Sequence, residues 1–140
     1  MYIGMNLELI KKHKIAKDII VLDGLTGTAK TMMIPIIGSF DGVQNARFEY
    51  MFEYLSYVTE HELIDRHAGD TLIDLLLDVK NYDGYLSREV NFRWKDLSSV
   101  FNGQLKGKYL RQLFMKDGVD VSRRIINERQ TLFLTTHQGL

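Results

Sequence analysis

The chain has 140 residues, with 18 Lys and Arg against 18 Asp and Glu and a pI near 6.9. That length holds one domain, or one piece of a larger one, and the balanced charge removes the electrostatic footprint of a dedicated nucleic-acid binder. Cys is absent, which excludes a disulfide framework, a thiolate zinc site and a Cys nucleophile.

The lack of Cys fits a reducing compartment, and a cytoplasmic location is the expectation. The apolar run MMIPII (residues 32–37) is far short of the ~18 residues that span a bilayer. At the N-terminus the lysines follow the apolar residues and no small-residue cleavage site is present, so a signal peptide is not expected.

Residues 5–17 read as a short basic helix, with Leu9 and Ile10 inward and Lys11, Lys12, Lys14 and Lys17 on a solvated face. Asp18-Ile19-Ile20-Val21-Leu22-Asp23 is β-branched and unalternating, the pattern of a strand buried on both faces. It runs into Gly24-Leu25-Thr26-Gly27-Thr28-Ala29-Lys30-Thr31, after which residues 32–38 start a helix that Pro35 should kink or shorten. Residues 44–59 carry Phe48, Met51, Phe52, Leu55 and Val58 at helical spacing. The stretch Thr59-Glu60-His61-Glu62 has the form of a capping box, predicting a new helix whose apolar face continues through Leu72, Ile73, Leu76 and Val79 until residues 81–84 close it.

Residues 85–103 lose the period and contain NFRWKDLSS, a loop with a short turn. Leu105, Tyr109, Leu110, Leu113 and Phe114 form another helical stripe, ended by Asp117-Gly118. Residues 120–129 predict a short helix with Val121, Ile125 and Ile126 inside, and residues 131–136 predict a second unalternating strand. Two buried-type strands separated by a long helical stretch suggest an α/β domain. Two parallel strands do not make a stable sheet. The expectation is therefore a single domain over residues 1–140, truncated at its C-terminus or completed by another chain.

The informative segment is 19–34, where a buried strand leads into a Gly- and Thr-rich loop, Lys-Thr and a helix. Glycines let backbone N–H groups curl around a phosphate, and the helix N-terminus adds partial positive charge. A Lys there neutralises phosphate, and a neighbouring hydroxyl binds phosphate or Mg²⁺. The segment resembles the Walker A motif of P-loop nucleotide-binding proteins, G-x-x-x-x-G-K-[ST], with Ala29 where the motif has its second Gly. The strand entry Val21-Leu22-Asp23-Gly24 looks like that of P-loop nucleoside and nucleotide kinases. Thr26-Gly27-Thr28 matches the centre of the related sulfotransferase loop, although Leu25 stands where that loop carries its basic residue.

Beyond the loop, the inserts RFEYMFEYL and NFRWKDLSSVF and a strand ending in Thr135-Thr136-His137 are similar to the N-terminal part of bacterial sulfotransferase-like proteins. The resemblance implies a three-layer P-loop fold of parallel strands with a large helical insertion between the first and second. It also implies sulfuryl transfer from 3′-phosphoadenylyl sulfate to an acceptor hydroxyl. Gly24, Thr26, Gly27, Thr28, Ala29, Lys30 and Thr31 would hold the nucleotide phosphate. Lys30 would be catalytic, and His137 or Asp23 would take the acceptor's proton.

Arg88 and Arg93 are candidates to hold an anionic substrate, because guanidinium binds oxyanions bidentately. His61 and His67 stand six apart and do not make a helical metal pair, so no resident metal is expected. An ATP- and Mg²⁺-dependent kinase is the alternative, for which the strand end Thr-Thr-His lacks a Walker B acid. A further alternative is a binding or assembly module with a vestigial loop, using the aromatic helix of residues 44–58 as its partner surface.

Overall fold

A computed structural model of the chain describes residues 14–25, 27–96, 99–102, 106–114 and 119–136. In chain order these form strand β1 (Ile19–Leu22), helix α1 (Lys30–Gly38), strand β2 (Arg47–Phe48), helices α2 (Tyr50–Glu60) and α3 (Arg66–Leu86), a single 3₁₀ turn (Val100–Asn102), helices α4 (Lys106–Gln112) and α5 (Val119–Glu128), and strand β3 (Leu132–Thr135). The described residues thus make an α/β fold with three strands, all parallel, and five α-helices.

The two expected strands are present as β1 and β3, paired with Ile19 opposite Leu132 and Leu22 opposite Thr135. The expectation of only two strands is corrected by β2. It pairs with the other side of β3, giving the order β1-β3-β2. Pairing on that side begins before β2, at a bridge between Val43 and Thr131, where Gln44 N–H donates to the Thr131 carbonyl at 2.9 Å. Residues 44–49, expected in a helix, are extended here, and the helix starts only at Tyr50. Two ladder residues inside an apolar helical period leave no alternation to read.

Strand geometry sends alternate side chains of β3 to opposite faces. Leu132 and Leu134 pack with Ala16, Leu77 and the half-buried Phe52 and Ile73, which places α2 and α3 on one face. Phe133 packs with Ile34, Val43, Ala46 and Ile37, which places α1 on the other. All four β3 residues are buried. β1 was expected to be buried on both faces; instead it is an edge, with Val21 41% exposed.

The capping box expected at residues 59–62 does not form. The Thr59 hydroxyl donates back to the Leu55 carbonyl at 2.6 Å inside α2. Asp65 caps α3 instead, accepting the Ala68 N–H at 3.0 Å, as a short carboxylate at an N-cap should. α3 runs to Leu86, past the closure expected at 81–84, and Ser87 ends it in the left-handed conformation with φ 57°. Along the way Gly69 admits α2, since a Cβ there would lie 2.2 Å from Thr59 Oγ1. A third cluster, Tyr85, Leu86, Val121 and Ile125, ties the end of α3 to α5. The stripe expected at residues 105–114 is a helix only from Lys106 to Gln112, and Leu105 lies outside the described residues.

Residues 14–17 are not helical, against expectation, and residues 5–13 of that expected helix lie outside the described residues. The buried Asp78 carboxylate accepts the N–H groups of Ile15 (2.9 Å) and Ala16 (2.8 Å), tying this non-helical segment to α3. Among the described residues, no helix is long and apolar enough to cross a membrane.

Candidate functional site

The loop between β1 and α1 is built from backbone conformations that side chains resist. Gly24 has φ 147°, Gly27 φ 90° and Ala29 φ 62°. Thr28 closes a turn on Leu25, its N–H (3.2 Å) and its hydroxyl (2.7 Å) both donating to the Leu25 carbonyl. Ala29 is the N-cap of α1, and its carbonyl accepts from Met32 (3.0 Å) and Met33 (3.3 Å). The first-turn amides of α1 therefore open onto the loop, where helix geometry gives them no partner within the helix and a partial positive charge. A Cβ at Gly24 would meet Thr28 Oγ1 at 2.9 Å, whereas one at Gly27 would meet nothing within 4 Å. Gly27 is thus required for its φ, and the space above it is open.

The carboxyl ends of β1 and β3 converge beside this loop. Lys30 reaches from the first turn of α1 to donate from Nζ to the Thr136 carbonyl at 2.7 Å. The Thr136 hydroxyl donates to Asp23 Oδ1 at 2.7 Å, and Thr136 N–H continues the ladder to the Leu22 carbonyl at 3.2 Å. The structure thus brings Asp23, Lys30 and Thr136 together at the carboxyl edge of a parallel sheet, where ligands of open α/β folds bind. Thr28, Ala29 and Thr31 are exposed around them. Thr26 and His137 lie outside the described residues.

Arg88 and Arg93 stand elsewhere. Arg88 follows α3, pairs with Asp83 at 3.5 Å and lies over the Tyr82 ring. Arg93 is largely exposed beside Asp96 at 3.9 Å. Between them, residues 89–91 help line a cavity of about 360 Å³ along β2, with Asn45, Arg47, Glu49, Lys80 and Tyr109.

This cavity holds a polar network that sequence reasoning missed. Arg47 is buried, and burial pulls its guanidinium below the usual arginine range despite nearby carboxylates and phenol. It donates to the Lys80 carbonyl and to Gln44 Oε1, and Gln44 in turn donates to Asn81 Oδ1. Lys80 pairs with Glu49 and Glu89, each at 2.7 Å. Burial would lower the lysine's pKa, yet these two bonds outweigh it and raise it. Glu49 directly follows β2, donates its N–H to the Thr135 carbonyl at 3.3 Å and caps α2 through Met51 N–H at 3.1 Å. Glu is not a favoured N-cap residue, so no local signal marked it.

No protein-family model matches the chain, and neither a curated protein nor a solved structure was found to be similar to it. The chemistry must be read from the geometry. The Lys30 cation, the first-turn amides and the glycine-shaped loop are groups of the kind that could hold an anion. A carboxylate and a hydroxyl at the floor of such a site can orient a second reactant or a proton.

Proposed function

We propose that the chain is the nucleotide-binding part of a P-loop group-transfer enzyme that moves a sulfuryl group from 3′-phosphoadenylyl sulfate to an acceptor hydroxyl. The observation that carries this reading is the Lys30 bond to Thr136 at the end of the central strand, made from the first turn of a helix that a positive-φ loop introduces. On this reading the loop amides of residues 26–31 take the 5′-phosphate. Lys30 exchanges the Thr136 carbonyl for a phosphate oxygen and stabilises charge growing on the leaving oxygen. The acceptor oxygen attacks sulfur, the bond from sulfur to the 5′-phosphate oxygen breaks, and the acceptor's proton passes to Asp23 or His137. The acceptor enters from the side of β2, where the cavity offers a mixed polar wall.

The same reading has the sheet extended past β1 by further strands. Val21 on β1, and Met32, Met33 and Ile36 of α1 on the opposite side of the sheet, are exposed apolar side chains that an extended sheet and the helices on it would cover. A second reading, an ATP-dependent kinase, is favoured by Asp23, an acid at the strand edge beside Lys30 and Thr31 that would help hold Mg²⁺.

Thermal melts with adenosine 3′,5′-bisphosphate in EDTA, and separately with ATP and Mg²⁺, test the proposal. A ligand at ~100 times its dissociation constant adds ~2.7 kcal/mol of stability. A rise of several degrees with the bisphosphate in EDTA is expected. A rise only with ATP and Mg²⁺ replaces sulfuryl transfer with phosphoryl transfer, and a cooperative melt that neither ligand moves removes the nucleotide site.

A further inference from the structure

The cavity along β2 carries hydrogen-bonding capacity that the described residues leave unused. Its charged walls are Arg47 and Lys80 against Glu49 and Glu89, two of each sign. The three donors of the Lys80 ammonium are all taken, one by Glu49 at 2.7 Å and two by Glu89 at 2.9 and 2.7 Å. The carboxylates are not filled in the same way. Each offers about four acceptor positions. Glu49 receives Lys80 and the Met51 N–H, and Glu89 receives Lys80 through both oxygens. The Glu49 side chain is 10% exposed and that of Glu89 41%, so Glu49 lies at the inner end and Glu89 at the mouth, with Lys80 between them.

Tyr109 presents the opposite need. It is 1% exposed and lines the same cavity, and its phenol oxygen accepts the Asn45 N–H at 3.0 Å. Among the described residues nothing accepts the phenol's own proton. Burial raises its pKa, so that proton stays in place at neutral pH. A buried donor of this kind is costly unless the occupant of the cavity accepts from it.

Ligand classes can be set against these groups in turn. An anion would accept from Tyr109 but would face two carboxylates. An ammonium would donate to the carboxylates but has no lone pair for the phenol, and it would sit beside Lys80 and Arg47. A neutral hydroxyl satisfies both needs, because it donates and accepts, and it leaves the balanced charge undisturbed. Glu49, Glu89 and Tyr109 come from three separate segments, so several hydroxyls on one frame are required. Ala46, Phe48 and Val90 supply apolar wall for its C–H faces. The volume of about 360 Å³ is at the lower end of the ~300–1,000 Å³ of small-molecule sites, which suits a single ring.

We propose that this cavity is a binding site for a neutral polyhydroxylated ring of hexose size, held through its hydroxyls by Glu49, Glu89 and Tyr109. Glu49 directly follows β2, and its N–H bonds to Thr135, the neighbour of the Thr136 that Lys30 reaches. Two strand spacings, ~10 Å, separate its backbone from that of Asp23 along the carboxyl edge. The bound ring therefore lies beside the edge that carries the loop and serves as the acceptor. That role rests on the proposed sulfuryl transfer, whereas the binding does not.

Saturation-transfer NMR of the native full chain, without nucleotide, tests the site with glucose, galactose and mannose as probes. At least one should bind with a millimolar dissociation constant. Its protonated 2-amino and its 6-carboxylate counterparts should bind at least tenfold more weakly, because each sets a like charge against the wall. Glu89→Gln and Tyr109→Phe should each weaken binding of the parent sugar at least threefold. Glu89→Gln alters a partly exposed side chain, so it carries the test if Tyr109→Phe does not melt cooperatively. Affinity for adenosine 3′,5′-bisphosphate should be the same in the native and Glu89→Gln chains. Sugar binding without bisphosphate binding supports this site and removes the transfer reading alone. A cooperatively folded chain that binds none of the three sugars would overturn the proposal whatever the bisphosphate does. So would a charged counterpart that binds as tightly as its parent, or binding that the substitutions leave unchanged.

Discussion

Ala29 is the residue at which the loop departs from its motif, and the structure turns that departure into a signed prediction. Its φ of 62° and ψ of 16° put it in the left-handed region, where a Cβ crowds the following carbonyl at a cost of about 1–2 kcal/mol. Glycine adopts the same conformation without that penalty but loses more backbone entropy on folding, which offsets about 0.4–1 kcal/mol. Ala29 is exposed, so no buried packing is lost with its methyl. Ala29→Gly should therefore stabilise the chain by roughly 0.5–1 kcal/mol, a rise of about 2–4 °C for a domain of this size. It also removes a methyl from the loop around the proposed phosphate, so affinity for adenosine 3′,5′-bisphosphate should rise in parallel. Calorimetric melts of the two chains measure the first effect. Were Ala29 an ordinary right-handed residue in the first turn of α1, the substitution would instead destabilise by ~1 kcal/mol. A fall in melting temperature would thus refute both the strained cap and the loop geometry built on it.

Two further outcomes follow from packing and burial. Gly69→Ala forces a methyl to within 2.2–2.9 Å of three Thr59 side-chain atoms, so it should destabilise by about 1–3 kcal/mol. Adding Thr59→Ala should recover part of that loss, and denaturant titrations showing simple additivity would contradict the close α2–α3 contact. Burial raises the phenol pKa of Tyr85 and Tyr109 above the ordinary value of 10.0. The folded chain then holds protons that the unfolded chain releases. Their contribution is full below about pH 10 and is lost as pH rises through the folded values. Urea midpoints measured in steps up the alkaline range should fall there, and a flat profile would argue against buried phenols.

The sequence was legible where one element had one job. IIVL and LFLT read as strands because β-branched and apolar runs of that length fit a parallel ladder, and both pair as such. The loop glycines were legible because positive φ demands them, and Lys30 because Lys-Thr follows the loop in the register of the motif it resembles. Two of the failures share a physical cause, which is that long-range partners overrode local pattern, and a third is a contest between local bonds. Arg47 and Phe48 extend because β3 offers ladder bonds at Leu134 and Thr135. Residues 15 and 16 stay out of a helix because Asp78, more than sixty residues away, takes their N–H groups. At residues 59–62, Thr59 bonds within α2 while Asp65 supplies a better cap. Within the site, Asp23 and Lys30 were visible. Their meeting at Thr136 depends on the pairing of β1 with β3, and Glu49 became apparent only once β2 did.

The central claim is that Lys30 and its loop bind a nucleotide phosphate. Isothermal titration of the native chain and of Lys30→Ala with adenosine 3′,5′-bisphosphate, in EDTA, tests it most directly. A charge-assisted bond to phosphate contributes about 1.5–3 kcal/mol, so the variant should bind at least tenfold more weakly while still melting cooperatively. Equal affinity in the two chains, or no heat of binding in a cooperatively folded native chain, would contradict the claim.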